Sequence, residues 1–268
     1  MGMKYFNNKV IWITGASSGI GEALALALSA EGASLILSSR RAGELERVRK
    51  ACTKPGKTKI VTVDLLDTPS LASKTSEAIA AFGYIDIMVH NGGISQRSTV
   101  AETAMQVQRK VMEVDYFSYV ELTNHLLPHF MQRGSGQFVV ISSVMGKIGT
   151  PMRSAYAAAK HALHGFFDCL RAEVFDKNIQ VTVITPGYIR TNVTMNAVKG
   201  DGTAVAEVGQ NIANGLPADK AAAQILKAVA AGKFEAYVGK NSSEKLALIV
   251  YRIAPNLLHK IVRKQVPK

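Results

Sequence analysis

Lys9–Gly32 reads KVIWITGASSGIGEALALALSAEG. It opens with a short apolar run, turns through glycines, and continues with alanine and leucine at helical spacing to a stop at Gly32. Strand, turn and helix in that order predict the first unit of an α/β fold. The turn itself, Thr14–Gly21 (TGASSGIG), has the composition of an anion cradle. Glycines let the backbone approach a pyrophosphate, and the start of a helix offers free N–H groups and a positive dipole end. A glycine-rich turn alone can be mere helix entry, but its place after a first strand points to a dinucleotide site. Gly15, Ser17, Ser18, Gly19, Ile20 and Gly21 are the binding candidates.

Working outward, apolar strand-like runs alternate with helical stretches. SLILSS, KIVTVD, IDIMVHN, QFVVIS, IQVTVIT and EAYVG read as strands. ELERVRKAC, TPSLASKTSEAIAAFG, Ala104–Gln132, Ser154–Asp176 and 217–231 read as helices. The strands are apolar on both faces, which predicts a doubly wound, Rossmann-like parallel sheet with helices on each side. Residues 1–268 are expected to form a single domain. Within it, 190–215, rich in Asn, Gly and Thr, reads as a long mobile loop over the substrate, and about 240–268 as a basic tail.

The end of the second strand bears on which dinucleotide binds. An acidic side chain there would hold a ribose 2′-hydroxyl, whereas a cation favours a 2′-phosphate. Ser38, Ser39, Arg40 and Arg41 follow one another here. They predict NADP(H), with Arg40 as main phosphate contact, Ser39 and Arg41 beside it; the plain alternative is that both arginines are solvated surface.

Ser142–Lys160, SSVMGKIGTPMRSAYAAAK, carries the candidate chemistry. Tyr156 and Lys160 share a helical face at i, i+4. A nearby ammonium stabilises a phenolate and brings it toward the range of useful acid/base catalysis. Ser143, at the end of a strand, could hold a substrate oxygen. The spacing alone is weak, since Tyr5 and Lys9 also fit it without an upstream strand or serine.

Composition narrows the class. The chain is 47% hydrophobic and 19% charged, as in a globular protein. Cys52 and Cys169 form no disulfide framework, which suits a reducing compartment. Neither a leader-like segment nor an eighteen-residue apolar run is present, so a cytoplasmic location is expected. The net charge of +12 is scattered except in Arg40–Lys50 and the last thirty residues. Neither group has interleaved aromatics, which argues against nucleic acid.

Together TGASSGIG, VDLLD, HNGG, Ser143, YAAAK and PGYIRTN resemble the short-chain dehydrogenase/reductase family over about Lys9–Gly239. SAYAAAKHALHGFFDCLRAE, VTVITPGYIRTN and the basic tail look most like the subgroup of 11β-hydroxysteroid dehydrogenase type 1 and dehydrogenase/reductase member 7 proteins. The resemblance implies that Asp64 and Leu65 border the adenine and that Asn91 and Gly92 steady the fourth strand and the adenosine side. It also implies that Lys160 holds the nicotinamide ribose, and that Pro186, Gly187, Ile189 and Thr191 contact the nicotinamide. It implies hydride transfer between NADP(H) and a small-molecule carbonyl or secondary alcohol. Tyr156 would act as proton donor, and the protein would be a homodimer or homotetramer built around the long helix and the catalytic helix. Asp115 stands where the family has a catalytic Asn, and His90-Asn91-Gly92-Gly93 where it has Asn-Asn-Ala-Gly. The aspartate adds negative charge near Lys160 and motivates an alternative, a catalytically weak dinucleotide-binding sensor or membrane-peripheral partner.

Weaker patterns remain. Glu121, His125 and His129 share a helical face, but Pro128 and the lack of a second carboxylate favour a solvated or interface role, and no metal is expected. His161 and His164 read as packing residues and Cys169 as a small buried hydrophobe. Met145, Ile148, Met152, Tyr188 and Val193 suggest a bulky apolar substrate pocket. The tail could close the substrate mouth, cover a neighbouring subunit, or touch an anionic membrane peripherally.

Overall fold

The computed structural model describes residues 4–191, 197–205, 213–240 and 242–265. Nine strands are described: β1 (Val10–Thr14), β2 (Ser34–Ser38), β3 (Thr58–Ile60), β4 (Ile87–His90), β5 (Gly136–Ile141), β6 (Ile179–Pro186), β7 (Ile189–Arg190), β8 (Leu216–Pro217) and β9 (Glu235–Val238). Seven of them form one parallel sheet in the order β3-β2-β1-β4-β5-β6-β9. The helices are α1 (Gly19–Ala30), α2 (Ala42–Ala51), α3 (Thr68–Ala80), α4 (Met105–Met112), α5 (Ser118–Arg133), α6 (Ser154–Glu173), α7 (Ala218–Ala230), α8 (Ser242–Ile253) and α9 (Pro255–Val262).

The period-two rule of a strand divides the core. Ile11 and Ile13 of β1 pack with Leu24 and Leu28 of α1 and Ile225 and Val229 of α7 on one face. Val10 and Trp12 of the same strand pack with α3, α5 and α6 on the other, through Leu71, Phe130 and Phe167. Truncating one of these fully buried rings to alanine costs about 3–5 kcal/mol. The chain winds outward from β1 to β3, then returns beside β1 with β4 and continues to β9. The order therefore reverses between β1 and β4, and the crevice beyond their carboxyl ends is where a ligand fits a doubly wound sheet.

Three differences from the sequence reading have local causes. The predicted helix over Ala104–Gln132 is continuous, but Glu113–Phe117 is wound as a π-helical turn between α4 and α5. Pro128 is carried inside α5 without ending it. The predicted loop 190–215 pairs at its ends, Ile189↔Leu216 and Arg190↔Pro217, and holds Val198 against Gln96 and Ala204. The parts of that predicted loop at 192–196 and 206–212 lie outside the described residues.

Candidate active site

The glycine turn is shaped by contacts between the ends of β1 and β4. Thr14 Oγ1 accepts the N–H groups of Asn91 at 3.0 Å and Gly92 at 3.1 Å. Asn91 Nδ2 donates back to Thr14 O at 3.0 Å and Gly15 O at 3.3 Å. At Gly15, with φ +64°, a Cβ would stand 2.6 Å from Gly92 Cα; at Gly21 it would stand 2.4 Å from Gly15 O. Only glycine permits this approach. Ser18 precedes α1 without a side-chain capping bond, so the first helical N–H groups remain for a ligand. The residues fit a dinucleotide pyrophosphate: a bare backbone cradle at a helix start, lined by Gly15, Ser17, Ser18, Gly19 and Ile20 on one cavity wall.

Ser39, Arg40, Arg41, Asp64 and Leu65 line the same cavity. Arg41, rather than Arg40, is drawn over the turn: its Nη2 donates to Ser17 Oγ at 3.0 Å and Ser18 Oγ at 3.1 Å. Its backbone N–H donates to Ser39 Oγ at 3.1 Å. Arg47, also near the turn, is compensated by Glu22 at 2.7 Å and Glu44 at 2.9 Å. Arg40 and Arg41 have no carboxylate within ion-pair distance among the described residues. Asp64 is occupied locally, its Oδ1 accepting the Leu66 N–H at 3.0 Å.

Farther along the cavity, α6 presents Tyr156 and Lys160 and the π-helical turn presents Asp115. Lys160 Nζ lies 3.2 Å from Asp115 Oδ2, an ion pair with both side chains buried, and donates to Ile141 O at 3.3 Å. Asp115 Oδ1 accepts the Ile94 N–H at 2.8 Å. Gly93 leaves the carboxylate room, since a Cβ there would be 2.9 Å from Oδ2. The ammonium stands 5.3 Å from the centre of the Tyr119 ring and 5.6 Å from that of Tyr156. Burial opposes charge on Lys160, but Tyr119, Asp115 and Tyr156 together outweigh it and hold its pKa above the ordinary value. Burial pushes Asp115 up, against the pull of Lys160 and the Ile94 N–H. Burial also raises Tyr119, against the pull of the neighbouring Lys160. A π turn inserts a residue into the helical register, a device frequent at functional sites; here it carries Asp115.

Ser143 caps a short 3₁₀ turn, its Oγ accepting the Met145 N–H at 3.1 Å. That bond uses a lone pair and leaves the hydroxyl proton available. Ser142 turns the other way, donating to Lys160 O at 3.2 Å and sharing a 3.0 Å bond with His164 Nε2. Burial lowers His164 to about 4, so it is neutral at physiological pH. His90 is fully buried, bonded to Thr123 Oγ1 at 2.9 Å, and burial lowers it to about 3.

The cavity has a volume of about 840 Å³ and unites the glycine turn with Ser143, Tyr156 and Lys160. Met145, Ile148 and Tyr188 line it as predicted, together with Pro186, Gly187, Ile189 and Thr191. Met152 does not line it; its backbone, at φ +63°, turns away to accept the Ser98 N–H at 3.3 Å. Val193 lies outside the described residues.

Among the lining residues that escaped the sequence reading, two make hydrogen bonds across the fold. Glu244 of α8 accepts the Tyr188 N–H at 2.9 Å and the Tyr237 hydroxyl at 2.5 Å, fixing the tail against the segment after β6. As the one acid of a basic stretch it was a visible signal. Arg153, three residues before Tyr156, donates to Ser95 Oγ at 3.0 Å and Gln96 O at 2.8 Å. Nothing in its spacing marked it. The tail thus closes the cavity, with Ala247, Leu258 and Val262 on the wall. Of the other candidates, His129 Nε2 accepts the Ile85 N–H at 3.3 Å, and Glu121 pairs with His125 at 3.4 Å. Cys169 is exposed, not buried as predicted, and Cys52 is buried; both are free thiols.

The short chain dehydrogenase family model matches residues 9–202. Dehydrogenase/reductase SDR family member 7B of Mus musculus is 41% identical over 269 residues, covering 98% of this chain and 83% of that protein. A short-chain dehydrogenase from Streptomyces avermitilis superposes at a TM-score of 0.83 with 29% identity, over 97% of this chain and 98% of the other. A short chain dehydrogenase/reductase from Burkholderia phymatum, solved in complex with NAD, shares the fold at a TM-score of 0.83 with 19% identity, over 94% and 96% of the two chains. The family match runs from the first residue before β1 past the Tyr156–Lys160 face, so both halves of the cavity are inherited together: the chain belongs to the short-chain dehydrogenase/reductase family, in its dehydrogenase/reductase member 7 subgroup.

Proposed function

We propose that the protein is an NADP(H)-dependent oxidoreductase acting on the carbonyl or secondary alcohol of a bulky, apolar small molecule. The observation that carries this reading is the single cavity shared by the glycine cradle and the Ser143–Tyr156–Lys160 group. Gly15, Ser17, Ser18, Gly19, Ile20 and Gly21 would hold the pyrophosphate, Asp64, Leu65, Asn91 and Gly92 the adenosine side. Pro186 to Thr191 would hold the nicotinamide. The preference for NADP(H) is supported by Arg41, bridging Ser17 and Ser18 without a compensating carboxylate, with Arg40 beside it.

A bound nicotinamide would supply hydride for reduction and accept it in oxidation. Ser143 would donate its remaining proton to the substrate oxygen and fix it beside Tyr156. Tyr156 would give its proton to that oxygen in reduction and take it back in oxidation. Lys160 would hold a ribose hydroxyl and stabilise the Tyr156 phenolate, and Asp115 would anchor the ammonium at a cost to its field.

That cost favours one second reading, a nucleotide-binding sensor that turns over poorly. Calorimetric titration with NADPH and NADH, followed by NADPH oxidation against bulky ketones, aldehydes and quinones, separates the two. Preferential NADPH binding with turnover supports the reductase; tight binding with no turnover supports the sensor; no binding of either nucleotide refutes both. NADH preferred over NADPH would refute the role given to Arg41.

The same proposal takes the whole chain as one working domain, in a reducing, cytoplasmic setting supported by the two free thiols. It takes the assembly as a homodimer or homotetramer, supported by the exposed Met105 of α4, Phe117 of the π-helical turn and Met131 of α5. Light scattering at micromolar concentration reads the assembly; a monomer would overturn it. The outer face of the tail is a candidate for peripheral membrane contact.

A further inference from the structure

Two departures from the family pattern, Asp115 and His90, meet at one ammonium. Asp115 reaches Lys160 directly, its Oδ2 lying 3.2 Å from Nζ. His90, the last residue of β4, reaches it through Tyr119 of α5. The imidazole lies against the Tyr119 ring, with ring centres 4.8 Å apart and planes at 21°. Lys160 Nζ stands over the same phenol ring, 5.3 Å from its centre. The asparagine that the family carries where His90 stands has no ring to stack there.

The imidazole is itself fixed. Its Nε2 is bonded to Thr123 Oγ1 at 2.9 Å, and Phe138 and Phe167 pack around it at 6.0 and 5.7 Å between ring centres. His90, Tyr119, Asp115 and Thr123 are fully buried, and Lys160 nearly so. An ammonium taken out of water must be held by protein groups. Two of its three donors go to Asp115 Oδ2 and Ile141 O. The third is the one the cavity can use, for a ribose hydroxyl or for Tyr156. The face of an aromatic ring attracts a cation within about 6 Å and has no lone pair to capture that donor.

The titratable groups around Lys160 are Tyr119, Asp115 and Tyr156, and together they keep it charged against burial. A charged imidazole behind Tyr119 would repel the ammonium. Burial lowers His90 to about 3, so the stacked rings are neutral at physiological pH. Neither His90 nor Tyr119 lines the cavity, so whatever they contribute to the reaction passes through Lys160.

We propose that Tyr119, braced by His90, is a positioning residue for Lys160: the stacked rings form a platform that seats the ammonium together with Asp115 and fixes the direction of its remaining donor. The inference rests on the oxidoreductase reading and deepens it, by naming a residue pair that acts on the reaction without touching cofactor or substrate.

The test reads the ammonium first and the reaction second. In the full chain carrying isotopically labelled lysine, magnetic resonance should find the Lys160 ζ-protons shifted upfield by the ring current of Tyr119. That shift should persist in Tyr119→Phe and vanish in Tyr119→Leu. For carbonyl reduction, Tyr119→Leu should lower kcat by about tenfold, while Tyr119→Phe stays within about twofold of the unsubstituted protein. His90→Asn keeps the ring but removes its brace, and should fall between the two. Because leucine in a buried ring site can upset packing, a second series places phenylalanine with one, two and three ring fluorines where Tyr119 stands. Its shape is nearly constant while its π face weakens, and kcat should fall stepwise along it.

Equal losses in Tyr119→Phe and Tyr119→Leu would assign the effect to the hydroxyl and overturn the platform. So would an unshifted ammonium signal, or a constant kcat along the fluorine series. A His90→Asn variant with signal and kcat unchanged would overturn the bracing role. The ammonium signal is read without nucleotide or turnover, so failure of the platform and failure of the oxidoreductase reading are told apart.

Discussion

The two ends of the cavity are built on opposite plans. At the nucleotide end, most contributors follow a strand at once: Gly15 after β1, Ser39 to Arg41 after β2, Asn91 and Gly92 after β4. Backbone does much of the work, and Thr14 and Asn91 lock two neighbouring strand ends together. At the substrate end the wall comes from Ser143 to Arg153, from the segment after β6, and from α8 and α9 more than fifty residues later. Glu244 is the bond that brings the last of these into place. The lesson is that a binding surface made of strand ends is set once the sheet pairs, whereas one made of distant helices depends on a few side-chain ties.

Five substitutions break or sharpen this contrast, the largest first. Tyr156→Phe removes the proton donor without touching the nucleotide end. Turnover is expected to fall by about 10²–10⁴-fold while NADPH binding, read by calorimetry, stays within experimental error. If binding is lost as well, the two ends are not separable.

Arg41→Ala removes a charge that bridges Ser17 and Ser18. A charge-assisted contact contributes about 1.5–3 kcal/mol, so NADPH affinity should weaken by roughly 10–100-fold with NADH affinity little changed. Arg40→Ala should weaken NADPH less. The reverse ranking would restore Arg40 as the main phosphate contact, as the sequence alone suggests.

Asp115→Asn tests the joint between the ends. In the folded protein the carboxylate offsets part of the Lys160 charge. Removing it takes away one of the groups that hold the Lys160 pKa above its ordinary value against burial, so the ammonium is lost at lower pH. The alkaline limb of the kcat/KM profile should move to lower pH than in the unsubstituted protein. An unchanged profile would show that Asp115 only packs.

Glu244→Gln keeps the shape but weakens the bonds to Tyr188 and Tyr237. A severalfold rise in KM for the organic substrate with an unchanged nucleotide Kd is expected, corresponding to about 1 kcal/mol. An equal change in both would make the tail part of the nucleotide site.

Legibility in the sequence follows the same division. Strand periodicity, the glycine turn and the i, i+4 pair on α6 are local patterns, so the sheet, its crossovers and the union of Gly15, Ser143, Tyr156 and Lys160 were readable before folding. The π-helical turn at Glu113–Phe117 was not, because a single shift in the phase of the apolar face does not stop Ala104–Gln132 from reading as one helix. Arg41 and Arg40 are adjacent in sequence, and only the path of the chain out of β2 decides which reaches Ser17. Glu244 acts across the fold on Tyr188, fifty-six residues away, and no local rule connects them. The tail reads as basic and amphipathic, and only the fold shows that Ala247, Leu258, Ile261 and Val262 line the cavity.

The single tryptophan, Trp12, sits fully buried at the middle of β1, and its indole donates to Ser38 Oγ at 2.8 Å across the β1–β2 seam. Its neighbour on the other side is Met88 of β4. The one native indole fluorophore thus stands under the point where the sheet reverses. Parallel strands pair only after long intervening segments have folded, so the blue shift of its emission would time the moment β2 and β4 both close on β1. A tail that loosens at Glu244 would leave that signal silent, which gives the molecule a built-in optical clock for its sheet alone.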